Sequence, residues 1–162
     1  MPTKKGPPHP VVPAVGDGKR GEGGHLGYLL RQAQTAHRQA MEHALAPLEL
    51  TPPQFTVLTM LVAYPGASGA DLARLSLLTP QTVSVIVANL ERMGALVRTP
   101  HDTHGRVLQI EVSAKGRQLL ARCRTAVGAI EQELAVGLTA VEEAAVRRWL
   151  VRIAQRGGGA KR

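Results

Sequence analysis

The stretch that decides the fold runs Ser68-Gly69-Ala70-Asp71-Leu72-Ala73-Arg74-Leu75-Ser76-Leu77-Leu78-Thr79-Pro80-Gln81-Thr82-Val83-Ser84-Val85-Ile86-Val87-Ala88-Asn89-Leu90-Glu91-Arg92-Met93-Gly94. It holds two helix starts. Ser68 followed by Asp71 has the spacing of a capping box, and Thr79-Pro80 pairs a capping hydroxyl with a proline at the first helical position. The first helix carries Leu72, Ala73 and Leu75 inward and ends near Leu77. The second puts Val83, Ile86, Val87 and Leu90 on one face, and Gly94 supplies the left-handed freedom that ends it.

A hairpin follows. Leu96-Val97-Arg98 reads as one strand, residues 100–105 as the tip, and residues 107–112 as the return, with Leu108, Ile110 and Val112 on one side. Two helices joined by so short a turn form a helix-turn-helix, and the hairpin makes it winged. Upstream, residues 25–46 form a helix with a stripe of Leu26, Leu29, Leu30, Ala33, Ala36, Ala40 and Ala44. Thr51-Pro52-Pro53-Gln54 then caps another that buries Phe55, Leu58, Leu61 and Val62. Downstream, Ser113 opens a long helix reaching toward Gly137. Its residues Leu120, Cys123, Val127, Ile130 and Leu134 are spaced like a coiled-coil seam. Thr139 and Glu142 box the start of a last helix with Val146, Leu150 and Ile153 in one stripe. The expected fold is mainly α with a small β-hairpin wing: a winged helix-turn-helix plus a helical dimerisation region. Its parts are a tail (1–24), an N-terminal dimerisation helix (25–50), the winged domain (51–112), C-terminal dimerisation helices (113–156) and a second tail (157–162).

The second helix of such a pair can lie in the DNA major groove. Its side away from the apolar face carries Gln81, Ser84, Val85, Ala88 and Arg92, flanked by Thr82 and Asn89, with Thr79 at the start. An ordinary solvated face more often carries Glu and Lys. This one is short and polar, which allows close approach: amides and hydroxyls pair with base edges, and Val85 and Ala88 suit thymine methyls. On the hairpin, Arg98, His101, His104 and Arg106 are candidates for minor-groove and phosphate contact. An incidental charged turn is the competing account of those four.

Charge supports this less than the total implies. The 162 residues sum to +8, yet residues 1–24 supply +2 and residues 147–162 supply +6, so residues 25–146 are neutral. The basic balance belongs to the ends. With apolar residues at 44% and only four aromatic ones, the core is sufficient but thin, a state often relieved by burying surface against a second copy. No apolar run is long enough for a membrane span, so no membrane partner is expected. One cysteine, Cys123, excludes an intrachain disulfide and fits a cytoplasmic setting. Its place on the apolar seam reads as a small buried hydrophobe rather than a redox sensor. His37 and His43 do not share a helix face well, and His101 and His104 lack partners beyond Asp102, so no metal and no cofactor is assigned. No nucleophile–base pair, phosphate loop or carboxylate pair occurs, so no enzyme is expected.

Taken together, Leu50-Thr51-Pro52-Pro53-Gln54-Phe55, Pro65-Gly66, Asp71-Leu72-Ala73, the run from Thr79 to Ser84, the run from Leu90 to Arg98, and Arg106 to Val112 with Ser113-Ala114-Lys115-Gly116 resemble the MarR family of winged-helix transcription regulators over about residues 25–156. The resemblance implies a homodimer made by the first and last two helices, with Leu26, Leu120, Val127, Ile130, Leu150 and Ile153 at the interface. It implies double-stranded DNA as partner through a palindromic operator, and a small-molecule effector between the dimerisation helices and the winged domain. Tyr64, Arg31 and His37 are lining candidates by position alone; effector identity stays unknown. One departure stands out. The family's wing carries Asp two residues before its Arg, and here His104 precedes Arg106, with Asp102 nearby.

The reading is a DNA-binding transcription regulator, expected to act as a ligand-responsive repressor. Two others compete: a non-specific architectural DNA-binding protein using its basic termini, and a winged-helix module for protein contacts, disfavoured because the exposed face lacks aromatic anchors. Deleting residues 1–24 and 157–162 separates the first two. A sequence reader keeps its discrimination between operator and random DNA in a competition assay, whereas an architectural protein loses most of its affinity.

Overall fold

Hydroxyl side chains start five of the six helices. The computed structural model describes residues 11–100 and 108–158, which fall into two compact units, residues 1–40 and 41–162. The helices are α1 (Leu26–Leu45), α2 (Pro52–Ala63), α3 (Gly69–Ser76), α4 (Pro80–Arg92), α5 (Ala114–Ala135) and α6 (Ala140–Gly158), with strands β1 (Leu96–Pro100) and β2 (Leu108–Val112).

In the first unit, residues 18–20 form a 3-10 turn before α1. Arg20 donates from Nε to Gln32 Oε1 (3.3 Å) and from Nη1 to the Pro13 carbonyl (2.8 Å), and Gln32 Nε2 returns a bond to the Arg20 carbonyl (3.0 Å). Part of the segment expected as a tail is therefore hydrogen-bonded onto α1. A Pro- and Gly-rich composition does not reveal one arginine fork.

In the second unit, reciprocal capping boxes start three helices. Thr51 Oγ1 accepts from the Gln54 N–H while Gln54 Oε1 accepts from the Thr51 N–H (2.9 Å). Ser68 and Asp71 repeat this at α3, and Thr139 and Glu142 at α6. Each box satisfies two backbone donors that a helix N-terminus leaves open. Thr79 Oγ1 caps α4 through the Thr82 N–H (3.2 Å), and Ser113 Oγ caps α5 through the Gly116 N–H (2.9 Å).

The core runs from Met41 and Leu45 through Leu50, Val57, Leu58 and Leu61 of the α2 region and Leu72 and Ala73 of α3. It continues into Val83, Ile86, Val87 and Leu90 of α4 and closes on Ala95, Leu96, Val112, Leu120, Cys123 and Val127. The expected inward face of α4 is thus buried in full. Leu75 is only half-buried, and Ser76 takes the last buried place on α3. Burial also raises the Cys123 thiol's pKa, opposed by the charge of Arg122, which keeps the sulfur a neutral core atom.

The α3–α4 connection uses Leu77 at φ 56°, a left-handed conformation that costs a branched residue about 1–2 kcal/mol. At the far end of α4, Gly94 has φ 72°, as expected for a glycine stop. The strands pair antiparallel from Leu96 with Val112 to Pro100 with Leu108. The first strand therefore runs two residues beyond the expected Arg98, with Pro100 closing it. A proline lacks only the N–H, so it fits the last rung of a two-stranded edge.

α5 begins hard against the hairpin base. A Cβ on Gly116 would stand 2.1 Å from the Ala95 carbonyl oxygen and 2.9 Å from Val112 Cγ1. Ser113 Oγ donates to the Gly94 carbonyl (2.6 Å), and the Ser113 N–H donates to that of Ala95 (3.0 Å).

Two outcomes follow from these contacts. Gly116→Ala should destabilise the fold by about 2 kcal/mol or more, because the clash is with backbone, and the thermal midpoint reads this directly. The Asp71 carboxyl should titrate at about 2, held down first by the Ser68 hydroxyl, then by Arg74 and the Ser68 N–H. Its support of α3 is complete above the ordinary aspartate range and fades as pH falls through about 2. Carbon-detected NMR should show Ser68→Ala moving that midpoint upward.

Candidate nucleic-acid interface

α4 is placed by what it buries and by where it stops. With Val83, Ile86, Val87 and Leu90 in the core, Gln81, Thr82, Ser84, Val85, Ala88 and Arg92 are exposed and Asn89 is half-buried. Thr79, the capping residue, is exposed as well. All eight residues proposed from sequence thus lie at the start of α4 or on its accessible side.

Local bonds hold several of these side chains in shape. The Thr79 and Thr82 hydroxyls share a hydrogen bond (2.8 Å), and Ser84 Oγ donates to the Pro80 carbonyl (2.9 Å). Arg92 reaches back to Asn89 Oδ1. Fixed short side chains suit a surface that must approach base edges closely, since little rotamer freedom remains to be lost on contact. Val85 stands exposed among them, an apolar spot that solvent alone does not favour.

The hairpin residues divide. His101, His104 and Arg106 lie outside the described residues, as does Asp102, so the structure describes none of the expected tip. Arg98 is described, and its guanidinium faces Glu91 near the end of α4. Nε stands 2.6 Å from Oε1 and Nη2 3.4 Å from Oε2. Sequence reasoning had Glu91 only as part of a motif. The available signal was an acid seven residues before an arginine, across a link of Met93, Gly94 and Ala95.

Two concavities adjoin this surface. One, of about 360 Å³, lies among the α3 N-terminus, α4 and the hairpin and is lined by Ser68, Ser84, Val87, Arg98 and Gln109. The other, of about 240 Å³, is bordered by Leu61, Pro65, Ile110 and Arg117. Tyr64 borders neither; it lines a hollow with Asp71 and Arg74. Arg31 lines one on α1 with Tyr28 and Gln32, and His37 keeps a buried Nδ1 without a hydrogen-bond partner.

The expected interface residues also divide. Leu120 and Val127 fill the core of their own chain, and Ile130 packs partly against it. Leu26 is 68% exposed, Leu150 44% and Ile153 36%. No described residue of α6 is buried. Among the described residues, no group of three or more His, Cys, Asp or Glu is placed to hold a metal ion, and no helix is long and apolar enough to cross a membrane.

Comparison with known proteins matches this geometry to one family. A sequence profile described as the MarR family matches residues 48–107. The HTH-type transcriptional repressor Rv2887 of Mycobacterium tuberculosis is 37% identical over 128 residues, covering 79% of this chain and 92% of the relative. Its crystal structure with salicylic acid has a TM-score of 0.65 at 36% identity, over 80% of this chain and 96% of that one. The transcriptional repressor CouR, bound to a 23-mer DNA duplex, has a TM-score of 0.72 at 32% identity, over 80% of this chain and 92% of that one. With a curated relative aligned over nearly its whole length, this chain belongs to the MarR family of winged-helix transcription regulators.

Proposed function

We propose that the protein is a cytoplasmic, sequence-specific transcriptional repressor that binds a palindromic operator as a homodimer and responds to a small molecule. The observation that carries this is the exposed side of α4: short, polar, locally fixed side chains with Val85 and Ala88 among them, on a helix whose other side is wholly buried. In this reading Gln81, Thr82, Ser84 and Asn89 read base edges, Val85 and Ala88 meet thymine methyls, and Thr79 and Arg92 contact the backbone. His101, His104 and Arg106 serve the wing. The DNA-bound relative supports the docking, and the salicylic acid complex supports an aromatic carboxylate as effector class. The cleft bordered by Arg117 is the better candidate for that effector: Nη1 donates to the Val112 carbonyl (2.7 Å), which fixes the guanidinium, and its positive charge suits a carboxylate.

Dimerisation is supported by α6. A helix with an apolar stripe and no buried described residue needs a covering surface, and Leu150 and Ile153 supply apolar area for one. Two-fold pairing would set the two α4 helices on half-sites about one helical turn apart.

Selection of bound fragments from random DNA at physiological salt tests the proposal. The expected result is an enriched palindrome bound roughly 10³-fold or more above random sequence. Ala88→Glu should cut that affinity about 100-fold while moving stability by less than about 0.5 kcal/mol, because the site is exposed and a bulky anion there replaces a methyl contact within the negative field of the groove. Binding without an enriched motif would replace the proposal with the architectural reading.

A further inference from the structure

The hairpin meets α4 at two points of different kinds. At its base the attachment is covalent and close-packed: the Gly94-Ala95 link, the Ser113 bonds and the tight seat of Gly116 fix where the strands begin. Two residues further out, the attachment is the Glu91–Arg98 ion pair. Arg98 pairs directly with Ile110 across the hairpin and shares the side of β1 that carries buried Leu96. Its side chain therefore lies on the face turned toward α4, not on the outer face where Val97 is exposed.

We propose that the Glu91–Arg98 pair is a positioning clamp: it sets the pitch of the hairpin relative to α4, and so lets the wing and the recognition helix engage the same half-site together. The inference rests on the DNA-binding reading above and assigns Glu91 a part in it. Arg98 then acts through Glu91 and the hairpin rather than as a ligand of DNA.

Three observations support the clamp. The pair uses both carboxylate oxygens and two guanidinium nitrogens, a fork that restricts angle as well as distance. Glu91 is three-quarters covered while the Arg98 side chain is 48% exposed, so the carboxylate end of the pair is sheltered and the guanidinium end meets solvent. Glu91 also sits in the last turn of α4, where the helix dipole disfavours an acid. Helix stability alone does not call for a glutamate there, whereas a partner on the strand does.

This last point makes the test clean. Glu91→Ala removes the carboxylate and replaces it with the best helix former, so the thermal midpoint should stay level or rise. Operator affinity, measured with the full chain and its selected fragment, should nonetheless fall roughly five- to tenfold. Hydroxyl-radical footprints should lose protection at the outer edges of the site while keeping it at the major-groove centre. The slope of log affinity against log salt should be unchanged in Arg98→Gln, because no phosphate contact is lost. Exchanging the two charges, Glu91→Arg with Arg98→Glu, should recover most of the lost affinity. The proposal is overturned if Glu91→Ala leaves affinity unchanged or raises it, if Arg98→Gln lowers the salt slope by about one, or if the exchange recovers nothing. Wild-type protein that enriches no motif would overturn the DNA-reading assignment itself, a result distinct from these three.

Discussion

Everything beyond α4 depends on one close approach, that of Gly116 to the Ala95 carbonyl. No side chain fits between the first turn of α5 and the hairpin base. Around this contact, Ser113 does three things at once: it caps α5, bonds the Gly94 carbonyl and donates its N–H to Ala95. The end of α4, the root of the hairpin and the start of the long helix therefore share one rigid junction. A change in the direction of α5 has little slack before it reaches α4. In a regulator whose two states must differ in how a pair of helices meets DNA, such stiffness is the physical basis of coupling.

The interface built on this frame owes little to net charge. Residues 25–146 are neutral, and Arg98, the hairpin arginine among the described residues, is engaged by a glutamate of α4. What α4 presents instead is hydrogen-bonding groups held in place: a threonine pair, a serine bonded to the preceding turn, an asparagine held by an arginine. Phosphate attraction contributes affinity for any DNA, whereas oriented donors and acceptors distinguish one sequence from another. In the proposed reading, basic ends would add affinity for any DNA and the polar face of α4 would supply the discrimination.

Much of this was legible in the sequence because its signals are local. A Ser or Thr followed three residues later by Asp, Gln or Glu gave the starts of α2, α3 and α6. The period of Val83, Ile86, Val87 and Leu90 separated the buried from the exposed side of α4. Gly94 marked its end. What escaped was set by tertiary contacts. Leu77 takes a left-handed conformation with no glycine or asparagine to announce it, because the core fixes both flanking helices and the turn must comply. Glu91 was not legible as the partner of Arg98, since the two stand on different elements. Leu120 and Val127, expected at a subunit seam, in the core of their own chain, or both, do lie in that core. Periodicity identifies an apolar face without saying which surface will cover it.

The uncovered state of α6 has a consequence for the protein's abundance. One ion pair, Glu143–Arg147, lies along the helix, and none of the described residues of its apolar stripe is buried. In the proposed dimer, mass action sets how often that stripe is covered. At low copy number the helix would spend more time open, and open segments are where proteases cut. Chain lifetime would then rise with chain concentration, giving the regulator a turnover threshold that depends on how many copies the cell already holds.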